Sequence, residues 1–142
     1  MRIKIGTINQ VVALSKQLPE FVEPHEAAVY KERMADKVSL VLVAWIGGEP
    51  VGFKVGYERN DYFYSWMGGV LPSFRQKGIA KALADEQEAW AVSHGFDKIV
   101  FKTRNCHKKM LTFALNNGFD IIGHMPKAEL KDHRILLSKR IK

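Results

Sequence analysis

The stretch Val70-Leu71-Pro72-Ser73-Phe74-Arg75-Gln76-Lys77-Gly78-Ile79-Ala80 decides how this chain is read. An extended apolar run from Tyr62 to Leu71 stops at Pro72, turns through a short basic loop, and restarts as a helix at Gly78. A helix start leaves backbone N–H groups without partners and carries the positive end of the helix dipole, so an anion placed there satisfies both. Gly78 and Ala80 lack bulk where a pyrophosphate must approach the main chain, while Arg75 and Lys77 add full positive charges. The loop from Arg75 through Gln76, Lys77, Gly78 and Ile79 to Ala80 is the candidate phosphate cradle.

Two other phosphate motifs fail against it. A Walker loop needs Lys followed by Ser or Thr after its second glycine, and a dinucleotide fingerprint needs three spaced glycines. Neither pattern is present, and Gly68-Gly69 precedes the proline, so it cannot supply the missing turn.

With 142 residues, 46% hydrophobic and 26% charged, the chain is expected to fold as one domain over residues 1–142 with a real core. Met1-Arg2-Ile3-Lys4-Ile5 alternates charge with apolar residues, unlike a signal peptide, and no run approaches the roughly 20 apolar residues of a membrane span. The single cysteine, Cys106, rules out an intrachain disulfide framework and agrees with a cytoplasmic address. His25-Glu26 lacks the second histidine of a zinc helix, so no metal is expected.

The net charge of +7 is unevenly placed. No acid occurs between Tyr62 and Ala84, or between Lys98 and Phe119, where Lys98, Lys102, Arg104, Lys108 and Lys109 fall. Stretches of this kind raise the local potential and draw in a polyanion.

Hydrophobic periodicity gives a coarse element order. Ile3–Ile5 reads as a strand and Ile8–Leu18 as a helix; Pro24 suits a first helical turn, so a second helix is expected from Pro24 to about Ala35. Val38–Ile46 and Val51–Tyr57 read as a hairpin joined by Gly47-Gly48-Glu49-Pro50. Tyr62–Leu71 is the next strand, with Tyr62, Tyr64 and Trp66 expected on one face and Phe63, Ser65 and Met67 on the other. A helix over Gly78–His94 capped by Gly95, a strand over Lys98–Thr103, a helix from about Cys106 to Asn117 capped by Gly118, and strands at Phe119–Gly123 and Arg134–Ile141 complete the chain.

Arg75-x-x-Gly78-x-Ala80 after a strand and proline, within this order of elements, resembles the acetyl-coenzyme A loop of the GNAT family of N-acetyltransferases. The resemblance implies an α/β acyl-CoA N-acyltransferase fold: a mixed central sheet of six to seven strands, a bulged and splayed strand pair, and about four helices. It implies transfer of acetyl from acetyl-CoA, as cosubstrate, to a primary amine in a ternary complex. Paired glycines late in a strand mark a bulge or a close approach, and in this family the corresponding bulge opens a wedge for the pantetheine arm. Main-chain groups of Gly69, Val70 and Leu71 are then expected to bind the cofactor, with the Val70 N–H stabilising the oxyanion. Asn105 matches an asparagine that contacts the arm, and also suits a helix N-cap; Lys108 lies beside it. Ala114 stands where many members carry the tyrosine that protonates the leaving thiolate, so no general acid carries over.

Glu58, Asp61 and Tyr64 are the candidates for a base or a proton relay. Glu20, Glu23, Glu26 and Glu32 read equally as carboxylates that attract a cationic amine and as the polar face of a solvated amphipathic helix. Cys106 and His107, adjacent in sequence, diverge in direction and do not make a nucleophile–base dyad. The alternative readings are a coenzyme A sensor without turnover and a basic nucleic-acid-binding module, the latter disfavoured because the basic residues do not line one helix face. No membrane partner is expected, and a homodimer is left open.

Overall fold

Alternation along one strand sets the two layers of the molecule. In Ser39–Ile46 (β2), Val41 and Val43 turn to one face of a sheet, and Leu40, Leu42 and Ala44 turn to the other. The first face buries Val11, Val12 and Leu14 of α1 (Ile8–Ser15), Leu18, and Tyr30 of α2 (Ala27–Met34). The second buries Ile79, Leu83 and Ala91 of α3 (Ile79–Ser93).

The computed structural model describes residues 1–142. The remaining elements are β1 (Arg2–Ile5), β3 (Glu49–Arg59), β4 (Tyr62–Val70), β5 (Lys98–Arg104), α4 (Lys108–Asn116), β6 (Asp120–Met125) and β7 (Arg134–Arg140). Seven strands form one mixed sheet in the order β1-β2-β3-β4-β5-β7-β6, in which only β4 and β5 run parallel. With four α-helices, this is the α/β architecture expected. No helix is long and apolar enough to cross a membrane.

Several boundaries differ from expectation for local reasons. Thr7 and Gln10 form a reciprocal capping box at the start of α1, but the helix stops at Ser15, because Gln17 and Leu18 bond three residues back, to Leu14 and Ser15, and tighten the last turn. Leu18 stays in the core all the same. Pro24 lies outside α2, whose N-cap, Glu26, is extended. The β2–β3 turn needs only Gly47-Gly48, since Ile46 already pairs with Glu49. Helix α4 begins at Lys108 rather than Cys106, with His107 as its cap.

The bulge in β4 does not sit at Gly68-Gly69. Val55 pairs with Met67 and Gly56 with Ser65, so Trp66 is the extra residue. Trp66 and Met67 consequently both pack against the α1–α2 layer, which breaks the expected alternation of faces. Gly56 permits this turn of the chain: a Cβ there would stand 2.3 Å from the Phe63 ring and 2.7 Å from the Tyr64 carbonyl oxygen.

Candidate functional site

A nine-residue strand, β4, meets the seven-residue β5 at only two positions, Phe63 opposite Ile99 and Tyr64 opposite Val100. Past Tyr64 the two strands part. The Trp66 bulge bends β4 away, while β5 is held along its whole length by β7, from Lys98 opposite Arg140 to Arg104 opposite Arg134. A wedge therefore opens from a vertex at Tyr64 toward Val70 and the loop that follows.

The main-chain phase of β4 decides which groups face this gap. The Leu71 N–H donates to the Val51 carbonyl at 2.8 Å, so Leu71, Gly69 and Met67 turn to β3, and Val70 and Gly68 turn to the wedge. This corrects the expectation for Leu71 and Gly69. Gly69 answers to packing, because a Cβ there would stand 2.5 Å from Leu18 Cδ1. Gly68, notable in the sequence only as half of a glycine pair, joins Val70 on the open edge.

At the mouth of the wedge, Gln76 (φ 61°) and Gly78 (φ 80°) are both left-handed. The N–H groups of Gln76, Lys77, Gly78, Ile79, Ala80 and Lys81 have no acceptor within the protein, and the helical ladder begins only with the Ala82 N–H on the Gly78 carbonyl. Six successive free donors at a helix start form a backbone nest with the geometry to accept an anion. Lys77 stays at the loop surface, its Nζ 5.9 Å from the Phe74 ring centroid. Arg75 behaves differently: its Nε donates to the Val70 carbonyl, and its Nη2 pairs with Glu20. Its guanidinium braces the loop against the end of β4.

Asn105 is not the cap of α4. Its Nδ2 donates to the Leu130 carbonyl at 3.2 Å, its Oδ1 accepts from Lys108 Nζ at 2.8 Å, and its N–H donates to the His133 carbonyl. Asn105 and Lys108 together tie the β6–β7 connection to the end of β5.

The three proton-transfer candidates are separated. Glu58 lies opposite Phe63, at the closed end of the strand pair, and its Oε1 accepts the Val38 N–H at 3.0 Å. Asp61 lies beyond it in the β3–β4 turn, with a side chain 83% exposed and 4.0 Å from Lys98 Nζ. Neither faces the wedge. Tyr64 stands at the vertex, buried edge-on against Tyr57, and burial pushes its phenol above the usual range, with Tyr57 adding to the effect. The raised value favours the protonated phenol, which makes Tyr64 a poorer base.

Residues 9–119 match the model of the acetyltransferase (GNAT) family. The chain belongs to that family. Its fold is similar to that of the ribosomal-protein alanine N-acetyltransferase of Escherichia coli (12% identity, TM-score 0.82, covering 99% of this chain and 94% of that one). It is also similar to an aminoglycoside 6′-N-acetyltransferase solved with coenzyme A (20% identity, TM-score 0.79, covering 100% and 98%). A third similar structure is an aminoglycoside 6′-acetyltransferase of type Ii (24% identity, TM-score 0.80, covering 100% and 98%).

Two further features bear on the chemistry of this site. Ala114 is 2% exposed, and its carbonyl accepts the N–H groups of Asn117 and Phe119, so the absence of a tyrosine there belongs to a closely packed helix end. The sheet face beside the Tyr64 vertex is also more basic than the acid-free stretches suggested. Loss of hydration lowers the Lys102 ammonium below its ordinary value, and Arg59, Arg134, Lys127 and Arg33 lower it further. Of the four carboxylates on or near α2, Glu20 is paired with Arg75 and Glu26 with Lys16. Sequence spacing carries no signal for this gathering, because five separate elements and loops supply it.

Proposed function

We propose that the protein transfers an acetyl group from acetyl-CoA to a primary amine by direct attack in a ternary complex. The observation that carries this reading is the junction of the β4–β5 wedge with the six free N–H donors at its mouth. A pyrophosphate fits the Gln76–Lys81 nest by charge and by donor count. An amide-bearing arm fits the wedge, because Gly68 and Val70 present main-chain groups there that no strand satisfies.

Acetyl-CoA supplies the activated acyl carbon and a thiol leaving group. The chain supplies position and electrostatics. The N–H of Val70, or of Gly68 one pleat nearer the vertex, donates to the thioester carbonyl oxygen and stabilises the negative charge that attack develops on it. Val70 has only its N–H to offer, since Arg75 holds its carbonyl. The Tyr64 hydroxyl, kept protonated by burial, is available as a donor at the vertex. The surrounding cations favour the neutral, nucleophilic form of the incoming amine, which lessens the demand on a base. With no tyrosine at Ala114, the C–S bond breaks to release thiolate, tolerable near neutral pH given a reference pKa of about 8.5 and nearby positive charge, and the proton shed by the attacking nitrogen passes to that thiolate or to water.

The test is release of free thiol from acetyl-CoA across a panel of amines, amino acids, polyamines and peptides, together with calorimetry of acetyl-CoA binding. Amine-dependent release supports transfer. Tight acetyl-CoA binding without release above hydrolysis for any acceptor identifies a sensor instead.

A further inference from the structure

We propose that the amine acceptor is a small molecule carrying an anionic group, a carboxylate or a phosphate, received by Arg59, Lys102 and Arg134 beside the vertex at Tyr64. The inference rests on the acetyl-transfer reading of the wedge and adds the charge class of its second substrate.

The register assembles these cations on one face of the sheet. Tyr64 lies opposite both Tyr57 and Val100, so the face that carries Tyr64 also carries Arg59 on β3 and Lys102 and Arg104 on β5. Arg134 of β7 stands directly opposite Arg104. The Arg59 guanidinium sits 5.2 Å from the Tyr64 ring centroid. From above, α2 adds Arg33, which stacks 4.9 Å from the Trp66 ring and donates to the Tyr57 hydroxyl at 3.4 Å. Lys127, from the connection after β6, acts on Lys102 as well.

Among these six cations, the one ion pair is Arg104 with Asp132, at 3.3 Å. Arg33, Arg59, Lys102, Lys127 and Arg134 have no carboxylate within ion-pair distance. Like charges directly across a sheet oppose folding, so the fold gains nothing by gathering them. An anion would gain from all of them. Aromatic faces orient the guanidinium planes of Arg33 and Arg59, which suits the forked recognition of a carboxylate or phosphate. The same field repels a polycation and holds the acceptor's amine neutral for attack.

The experiment compares matched acceptors in the thiol-release assay: glycine against glycinamide, glutamate against its diamide, phosphoethanolamine against ethanolamine, with spermidine as the polycation. In parallel, calorimetry compares N-acetylglutamate with its uncharged diamide, which reads the site whether or not turnover occurs. The expected result is at least tenfold higher kcat/KM for at least one anionic member of a pair. Arg59→Gln and Lys102→Gln should each raise KM for that acceptor at least tenfold, with acetyl-CoA affinity unchanged. Should Lys102→Gln fail to fold, Arg59→Gln carries the test alone. Uncharged partners or spermidine used as well as the anionic acceptors would overturn the proposal. If no acceptor releases thiol, the transfer reading fails by itself. Calorimetry then decides the charge class: binding of the acetylated anion that Arg59→Gln abolishes sustains it, and equal or absent binding of charged and uncharged products overturns it.

Discussion

Arg75 bridges Glu20 and Val70 at the mouth of the wedge: Arg75 Nη2 donates to both Glu20 carboxylate oxygens, at 2.7 and 2.9 Å, while Arg75 Nε donates to the Val70 carbonyl at 2.9 Å. The segment after α1 is thereby linked to the end of β4 and to the start of the loop before α3.

If Arg75 works as this brace, its fork matters more than its charge. Arg75→Lys and Arg75→Ala should then weaken acetyl-CoA binding alike, by about three- to tenfold, a cost of up to roughly 1.4 kcal/mol. Stability should fall by less than about 1 kcal/mol, since the ion pair is solvent-screened. Calorimetry and thermal melts measure both. Full rescue by Arg75→Lys would show that a free charge on the phosphate, not the brace, is what matters.

A Cβ at Gly78 would meet open space, but the φ of 80° there is strained for any other residue. Gly78→Ala should therefore cost about 1 kcal/mol of stability and shift the N–H groups of the nest, lowering acetyl-CoA affinity. Denaturant melts and calorimetry on the same variant separate the two effects. Unchanged affinity in a folded variant would detach the nest from cofactor binding.

The vertex depends on Gly56. Gly56→Ala would press a methyl into the Phe63 ring and the Tyr64 carbonyl, and backbone cannot yield as a side-chain tip does. The expected loss is about 1–3 kcal/mol. Gly69→Ala, which meets only the flexible end of Leu18, should cost less, and chemical denaturation of the two variants checks the order.

Much of this arrangement was legible in the sequence because it is local. Pro72, the basic loop and Gly78 mark a strand end, a turn and a helix start within one short stretch, and the nest is found there. The bulge was misplaced because it is a two-against-one mismatch between strands: Gly68-Gly69 signals close approach, but only pairing with Val55 and Gly56 shows that Trp66 is the extra residue. Asn105 looked like a cap because it precedes a helix, whereas His107 is the cap and Asn105 is recruited by the distant Leu130. The cationic wall was invisible for the same reason, since Arg33, Arg59, Lys102 and Arg134 meet only after the sheet closes.

Lys54 offers a pH signature. Burial pushes its ammonium down to about 8, with Glu88 partly opposing the shift. Because the folded pKa lies below the unfolded one, the penalty is fully present below pH 8 and is relieved as pH rises toward 10.5, where the unfolded chain binds more protons. Lys54→Met should stabilise the protein at pH 7 by about 1–3 kcal/mol and flatten the rise between those limits relative to wild type. Equal pH dependence in both proteins would mean that Lys54 is hydrated in the folded state.

The central claim is that acetyl-CoA binds through the open main chain of the wedge and nest. Amide hydrogen exchange resolved by residue, with and without acetyl-CoA, tests it most directly. New protection is expected at Gln76, Lys77, Gly78, Ile79, Ala80 and Lys81 and at Gly68 and Val70, with Gly47 and Gly48 unchanged as internal controls. Saturating acetyl-CoA that leaves those wedge and nest amides as exposed as before would contradict it.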